Sequence, residues 1–238
     1  MKRNRELKDD ALKALNNHWG WVILVCIVFG AITGLISAPA SIANSLSSLQ
    51  TSGITGGLGA AFAGLGLLFG SISTLGNIFG LQPLSVGLLN SIKVFYKDND
   101  YRTVPNMFKI GFSNGNYWRN VLGMFLVSLF TVLWTLLFIV PGIIKSYAYA
   151  MTPYILIDNP ELGPNEARLK SIEMMRGHKG KLFGLDLSFI GWILLGILSI
   201  GIGFIWITPY IRTTRAAFYC NLKEELNPQV VEENKEEL

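Results

Sequence analysis

Between Lys13 and Lys93 the chain carries no aspartate, glutamate, lysine or arginine, an uninterrupted run of 79 residues. No water-facing surface can be built from such a run, because the exposed faces of a soluble fold carry charged side chains. A bilayer accepts it. One span takes about 20 mainly apolar residues, and with no water to serve the backbone each span must be helical. The short alternating segments of a membrane β-barrel do not occur. Composition agrees, with 50% of the 238 residues hydrophobic and 15% charged. The expected fold class is all-α: a polytopic membrane protein.

The net charge is +4, and its placement says more than its size. Basic residues gather at Lys2, Arg3, Arg5, Lys8 and Lys13, at Lys93, Lys97, Arg102, Lys109 and Arg119, and at Arg168, Lys170, Arg176, Lys179 and Lys181. Nucleic-acid binding would need one folded basic face with aromatic partners. Clusters flanking apolar tracts follow the positive-inside rule instead. All three clusters then face the cytoplasm, and an even number of spans separates each from the next. Six spans in three hairpins satisfy this, at about 19–38, 72–95, 117–140, 141–157, 182–200 and 204–222, in one membrane domain covering 1–222. Both termini are expected in the cytoplasm, and the acidic tail 223–238 reads as disordered.

Residues 41–71 are rich in Gly, Ser, Ala and Thr. A loop, a re-entrant segment and an extra helix all fit them, and parity places them outside or dipping in without crossing. Ala38-Pro39-Ala40 resembles a signal-peptidase site, but Glu6, Asp9 and Asp10 ahead of a long apolar run weigh against cleavage. Two short amphipathic helices are expected on the inner surface. One lies within 1–17, with Leu7, Ala11, Ala14 and Leu15 at helical spacing. The other starts at Pro164, with Leu169, Ile172 and Met175 along one side, and ends at Gly177.

An ionisable side chain inside a span costs about 2.5–3.5 kcal/mol on insertion scales, so such residues are the first functional candidates. Asp186, Arg215 and Arg212 are the central ones: the arms of the last hairpin bring Asp186 within reach of Arg215, with Arg212 as the alternative partner. The fourth span combines Lys145, Tyr147, Tyr149, Pro153 and Tyr154, and its proline predicts a kink. Arg168, Lys170, Arg176, Lys179 and Lys181 are placed to contact anionic lipid. Gly76-xxx-Gly80 permits close helix packing. No metal set, nucleophile elbow or phosphate loop stands out, so no cofactor and no catalytic residue is expected.

From Val140 the chain reads VPGIIKSYAYAMTPYILIDNPELG, and later SIEMMRGHKGKLFGLDLSFIGWILLGILSIGIGFIWITPY and AAFY. These strings resemble a family of integral membrane proteins of Gram-positive bacteria known only as a domain of unknown function. The likeness runs the full length and is strongest over residues 139–220. It implies a multi-pass protein of the bacterial cytoplasmic membrane and no particular activity. The expected function is non-enzymatic: binding of membrane lipids, with a partner membrane protein or peptide as a further expectation, in envelope maintenance. The alternative is a small transporter or channel using the intramembrane charges.

Overall fold

Residues 2–16, 18–51, 57–98, 103–112 and 117–226 are described by the computed structural model, and every regular element among them is helical. An amphipathic α1 (Asn4–Leu15) leads into the long α2 (Trp19–Thr51), which is followed by α3 (Gly57–Gly76). A π-helical turn, Asn77–Leu81, joins α3 to α4 (Gln82–Asp98), and α5 spans Thr103–Phe112. Next come α6 (Tyr117–Leu137), α7 (Ile139–Tyr149), α8 (Thr152–Asp158) and α9 (Pro164–Met174). The chain continues with α10 (Lys179–Leu187), α11 (Ile190–Leu198) and α12 (Phe204–Leu226).

The Gly/Ser-rich tract 41–71, which a loop, a re-entrant segment and an extra helix all fit, is helical in its described residues. Helix α2 runs on past residue 38 to Thr51, and α3 starts at Gly57 and packs along α2. Serine hydroxyls make this tract compatible with a helix by bonding back to carbonyls one turn earlier. Ser41 Oγ donates to Ser37 O at 3.3 Å, and Ser45 Oγ to Ser41 O at 3.0 Å. Glycine serves the packing at the far end of α3, where a Cβ on Gly76 would sit 2.9 Å from Ile36 Cγ2. Within the π turn Tyr117 Oη donates to Phe79 O at 2.7 Å, which joins the start of α6 to this point.

Among the described residues, four stretches are long and apolar enough to cross a membrane: Trp19–Pro39, Leu68–Asp98, Tyr117–Leu137 and Lys179–Leu198. The fourth expected span falls short because it is split into α7 and α8, and the sixth because α12 carries Arg212 and Arg215 among threonines and tyrosines. The split lets α7 pack on α10 while α8 packs on α4, α6 and α9. Val140 and Lys179, expected on opposite membrane faces, consequently line one groove.

Burial runs opposite to hydropathy. Counted over the most apolar 18 residues of each stretch, 11% are buried in Trp19–Pro39, 17% in Tyr117–Leu137 and 22% in Lys179–Leu198, whereas 56% are buried in the least apolar, Leu68–Asp98. The interior is made by α4, α8 and the polar α12, whose Tyr210, Thr213, Thr214, Phe218 and Tyr219 are all buried.

Two expectations are corrected here, those for α1 and for the tail, and α9 is described with them. Helix α1 rests on protein, with Leu7, Ala11 and Leu15 buried against α12, α10 and α4. Helix α9 buries Ala167, Arg168, Ser171 and Met174 against α6, α7 and α8, and leaves Leu169, on the expected apolar side, exposed. The helical part of α12 extends through Leu226, past the expected tail boundary at 223, because Lys223 is tied to Asp158. The remainder of the tail, 227–238, lies outside the described residues.

Candidate functional site

Pro153 shapes the centre of the site. Its ring excludes the carbonyl four residues earlier and it has no N–H to offer, and α7 accordingly ends at Tyr149. Ala150 and Met151 form a turn, and Tyr154 N and Ile155 N both donate to Met151 O at 3.1 Å to start α8. Ser171 Oγ from α9 takes up a freed carbonyl, donating to Ala148 O at 2.8 Å. Around this break lies a cavity of about 410 Å³. Its walls are apolar side chains such as Leu89, Met124, Val127 and Leu182, interrupted by Thr131, Ser146, Tyr147, Tyr154 and Arg215.

Arg215 meets Asp186 through two parallel bonds, Nε to Oδ1 at 3.1 Å and Nη2 to Oδ2 at 2.8 Å. Tyr147 Oη donates to the same Oδ2 at 3.1 Å. The carboxylate therefore faces three donors, and the pair links α7, α10 and α12 at the edge of the cavity. Arg212 is not part of it: its guanidinium lies 5.0 Å from the centre of the Phe29 ring on α2. Lys145 likewise points away, 4.8 Å over Trp134. Tyr149 is buried, and Tyr154 stacks on Tyr219 with ring centres 4.8 Å apart.

The basic residues expected to touch lipid divide into two groups. Arg168 is buried, bound to Asn165 Oδ1 at 2.7 and 3.1 Å and stacked 4.2 Å over Phe130, so it serves packing. Lys170 donates to Asn159 Oδ1 at 2.9 Å. Arg176 and Lys181 are exposed, while Lys179 is half-buried beside Val140, Ile143 and Ile144.

Two centres escaped the sequence reading. Asp158, at the end of α8, pairs with Lys93 and with Lys223 (2.7 Å), and accepts from Tyr219 Oη at 2.8 Å. Burial alone would raise its pKa, but Lys93 and Lys223 outweigh that and hold the carboxyl below the ordinary value. Arg119 caps the same helix end, donating to Leu156 O at 2.5 Å, Asn159 O at 2.9 Å and Leu162 O at 3.2 Å. The available signal was that Asp158 is the first carboxylate after Asp100, standing where an apolar run ends.

Residues 109–226 match a family described as "Protein of unknown function (DUF975)". The stretch runs from α5 through α12 and contains the break, the Asp186–Arg215 pair and Asp158. It also includes residues 139–220, where the resemblance was strongest, while residues before 109 lie outside it. No curated protein and no solved structure matches the chain.

Proposed function

We propose that this chain is an integral protein of the cytoplasmic membrane of a Gram-positive bacterium, and that it binds an amphiphilic ligand without catalysing a reaction. One observation carries the membrane part: the helices that are most apolar are the least buried. In water such an arrangement would expose Leu35, Leu133, Leu136, Leu194 and Ile197 together. In a bilayer hydrocarbon covers them, and the polar α12 belongs at the centre, where Thr214, Tyr219 and Arg215 find partners. Three helical hairpins, α2 with α3, α6 with α7 and α11 with α12, enter the membrane from the cytoplasmic side, where the basic clusters keep both termini.

The binding part rests on the cavity beside Pro153. Its apolar walls suit a hydrocarbon chain, and Arg215 keeps Nη1 donors that Asp186 does not use for a polar head. A second reading, transport, is favoured by the same ion pair, because charges beside a broken helix also line transport pathways. Native mass spectrometry of the protein released from lipid nanodiscs separates these readings from an empty scaffold. The expected result is retained anionic lipid on the wild type and roughly tenfold less on Arg215→Gln, about 1.4 kcal/mol of affinity. Equal retention by both proteins would remove the cavity from consideration. Flux of the retained lipid between the leaflets of proteoliposomes would favour transport.

A further inference from the structure

Between Asp186 and Arg212 the chain has no charged residue, and this stretch forms both arms of the α11–α12 hairpin. The stretch is 25 residues long, about the length needed for one complete span, yet it must supply two. Clear of the turn, the arms have 12 uncharged residues (187–198) and 8 (204–211) and rise about 18 Å and about 12 Å, against a hydrocarbon core of about 30 Å. Lys179–Leu198 reaches crossing length only by taking Lys181 and the paired Asp186 into the span.

The base of the hairpin is polar and fixed. Lys8, from the charged helix α1, donates to Ser188 O at 2.9 Å and lies 4.0 Å from the centre of the Phe189 ring. Asp186 and Arg215 pair just below, and α1 packs on both α10 and α12. This belt holds the base of the hairpin near the water interface.

Its tip is the reverse. Ile200 is 93% exposed, Leu198 80% and Ile202 61%. Every backbone N–H from 199 to 207 is bonded within the hairpin: Ser199 to Leu195 O, Ile200 to Ile197 O, Gly201 to Gly196 O, and so on through Ile207 to Gly203 O. Ser199, the one polar side chain of the turn, is also satisfied, accepting from Gly203 N at 2.8 Å and donating to Gly196 O at 2.9 Å. The bonds from Ile200 and Gly201 make a Schellman closure, and Ile200 holds the left-handed position (φ 56°) that glycine normally takes. A turn facing water has no need to pair all its N–H groups internally, and gains nothing from a strained, fully exposed isoleucine. A turn in hydrocarbon needs the first, and the second finds apolar surroundings there.

We infer that the α11–α12 hairpin is re-entrant: Leu198, Ile200 and Ile202 end in the bilayer interior near its midplane, and the hairpin does not emerge on the far face. The inference rests on the membrane reading above. The α6–α7 turn points the same way, since Val140 near its tip shares a groove with Lys179.

The test places an environment-sensitive nitrobenzoxadiazole probe on Ile200→Cys, and separately on Leu198→Cys, after Cys26→Ala and Cys220→Ala. Leu122→Cys, on the exposed face of α6, serves as the reference for lipid contact. The full-length proteins are reconstituted in vesicles containing phospholipids with a nitroxide at a shallow or a deep acyl carbon. Deep nitroxide should quench the 200 and 198 probes about twofold more than shallow nitroxide, as a midplane position demands. Dithionite, which does not cross the bilayer, should leave both probes fluorescent from either face. Loss of about half the signal to external dithionite, the fraction facing outward in randomly oriented vesicles, would show that the tip emerges and overturn the inference. If nitroxide at neither depth quenches even the 122 probe, the membrane reading itself fails and the inference falls with it.

Discussion

At the scale of single residues, buried polar groups decide the arrangement. Asp186 stands alone among apolar neighbours, which made it legible in the sequence, and hairpin arithmetic brought both Arg212 and Arg215 within range. The structure selects Arg215, because Arg212 faces α2 and stacks on Phe29. Removing one partner of a buried pair costs about 3–5 kcal/mol, but half-exposed Arg215 reduces this to about 2 kcal/mol. Asp186→Asn and Arg215→Gln should each lower the thermal midpoint in detergent, and the double variant should recover part of the loss. Strictly additive shifts in that cycle would mean the two side chains do not interact. Asp158 was not legible, because a carboxylate at the end of a span looks like ordinary surface charge. Only the fold brings Lys93, Tyr219 and Lys223, distant in sequence, to one side chain.

At the scale of elements, the sequence showed helix where apolar runs were long and ended in charge, as in α6 and the lower half of α2. It left a choice where small residues dominate. Residues 41–71 lack the bulky periodic side chains that mark a helix, yet Ser41 and Ser45 bond along α2, and Gly76 is needed where α3 meets Ile36. Helix α9 begins at Pro164 as the sequence shows, and its protein-facing side follows Arg168 and Ser171, which have partners, and not Leu169. The crossing of α4 and α5 depends on glycine in a way no pattern revealed. A Cβ on Gly87 would collide with the carbonyl of Met107, and one on Gly111 would lie 2.9 Å from Pro83 O. Backbone cannot yield as a side-chain end can, so Gly87→Ala should destabilise by about 1–3 kcal/mol. Gly191→Ala meets nothing within 4 Å and should change stability by less than about 0.5 kcal/mol. Equal thermal midpoints for the two variants would show that α4 and α5 are not held at this distance.

At the scale of the molecule, the arrangement is ordered by polarity from the inside out: α12 and α4 at the centre, and α2, α6 and α11 around them with their apolar faces uncovered. The charge-free run pointed to long apolar helices, and the fold has them. Hydropathy reports that a segment is apolar and not how far it reaches. Tryptophan reports lipid contact most directly, because Trp21, Trp118, Trp192 and Trp206 are all exposed on helices of the outer layer or beside it. Reconstitution in vesicles of brominated phospholipid, compared with the unbrominated lipid, measures their contact with acyl chains without altering the protein. Strong quenching of the tryptophan emission by bromine, with little quenching by aqueous iodide, is expected. Emission indifferent to bromine and quenched by iodide would place these faces in water and contradict a membrane fold for this chain.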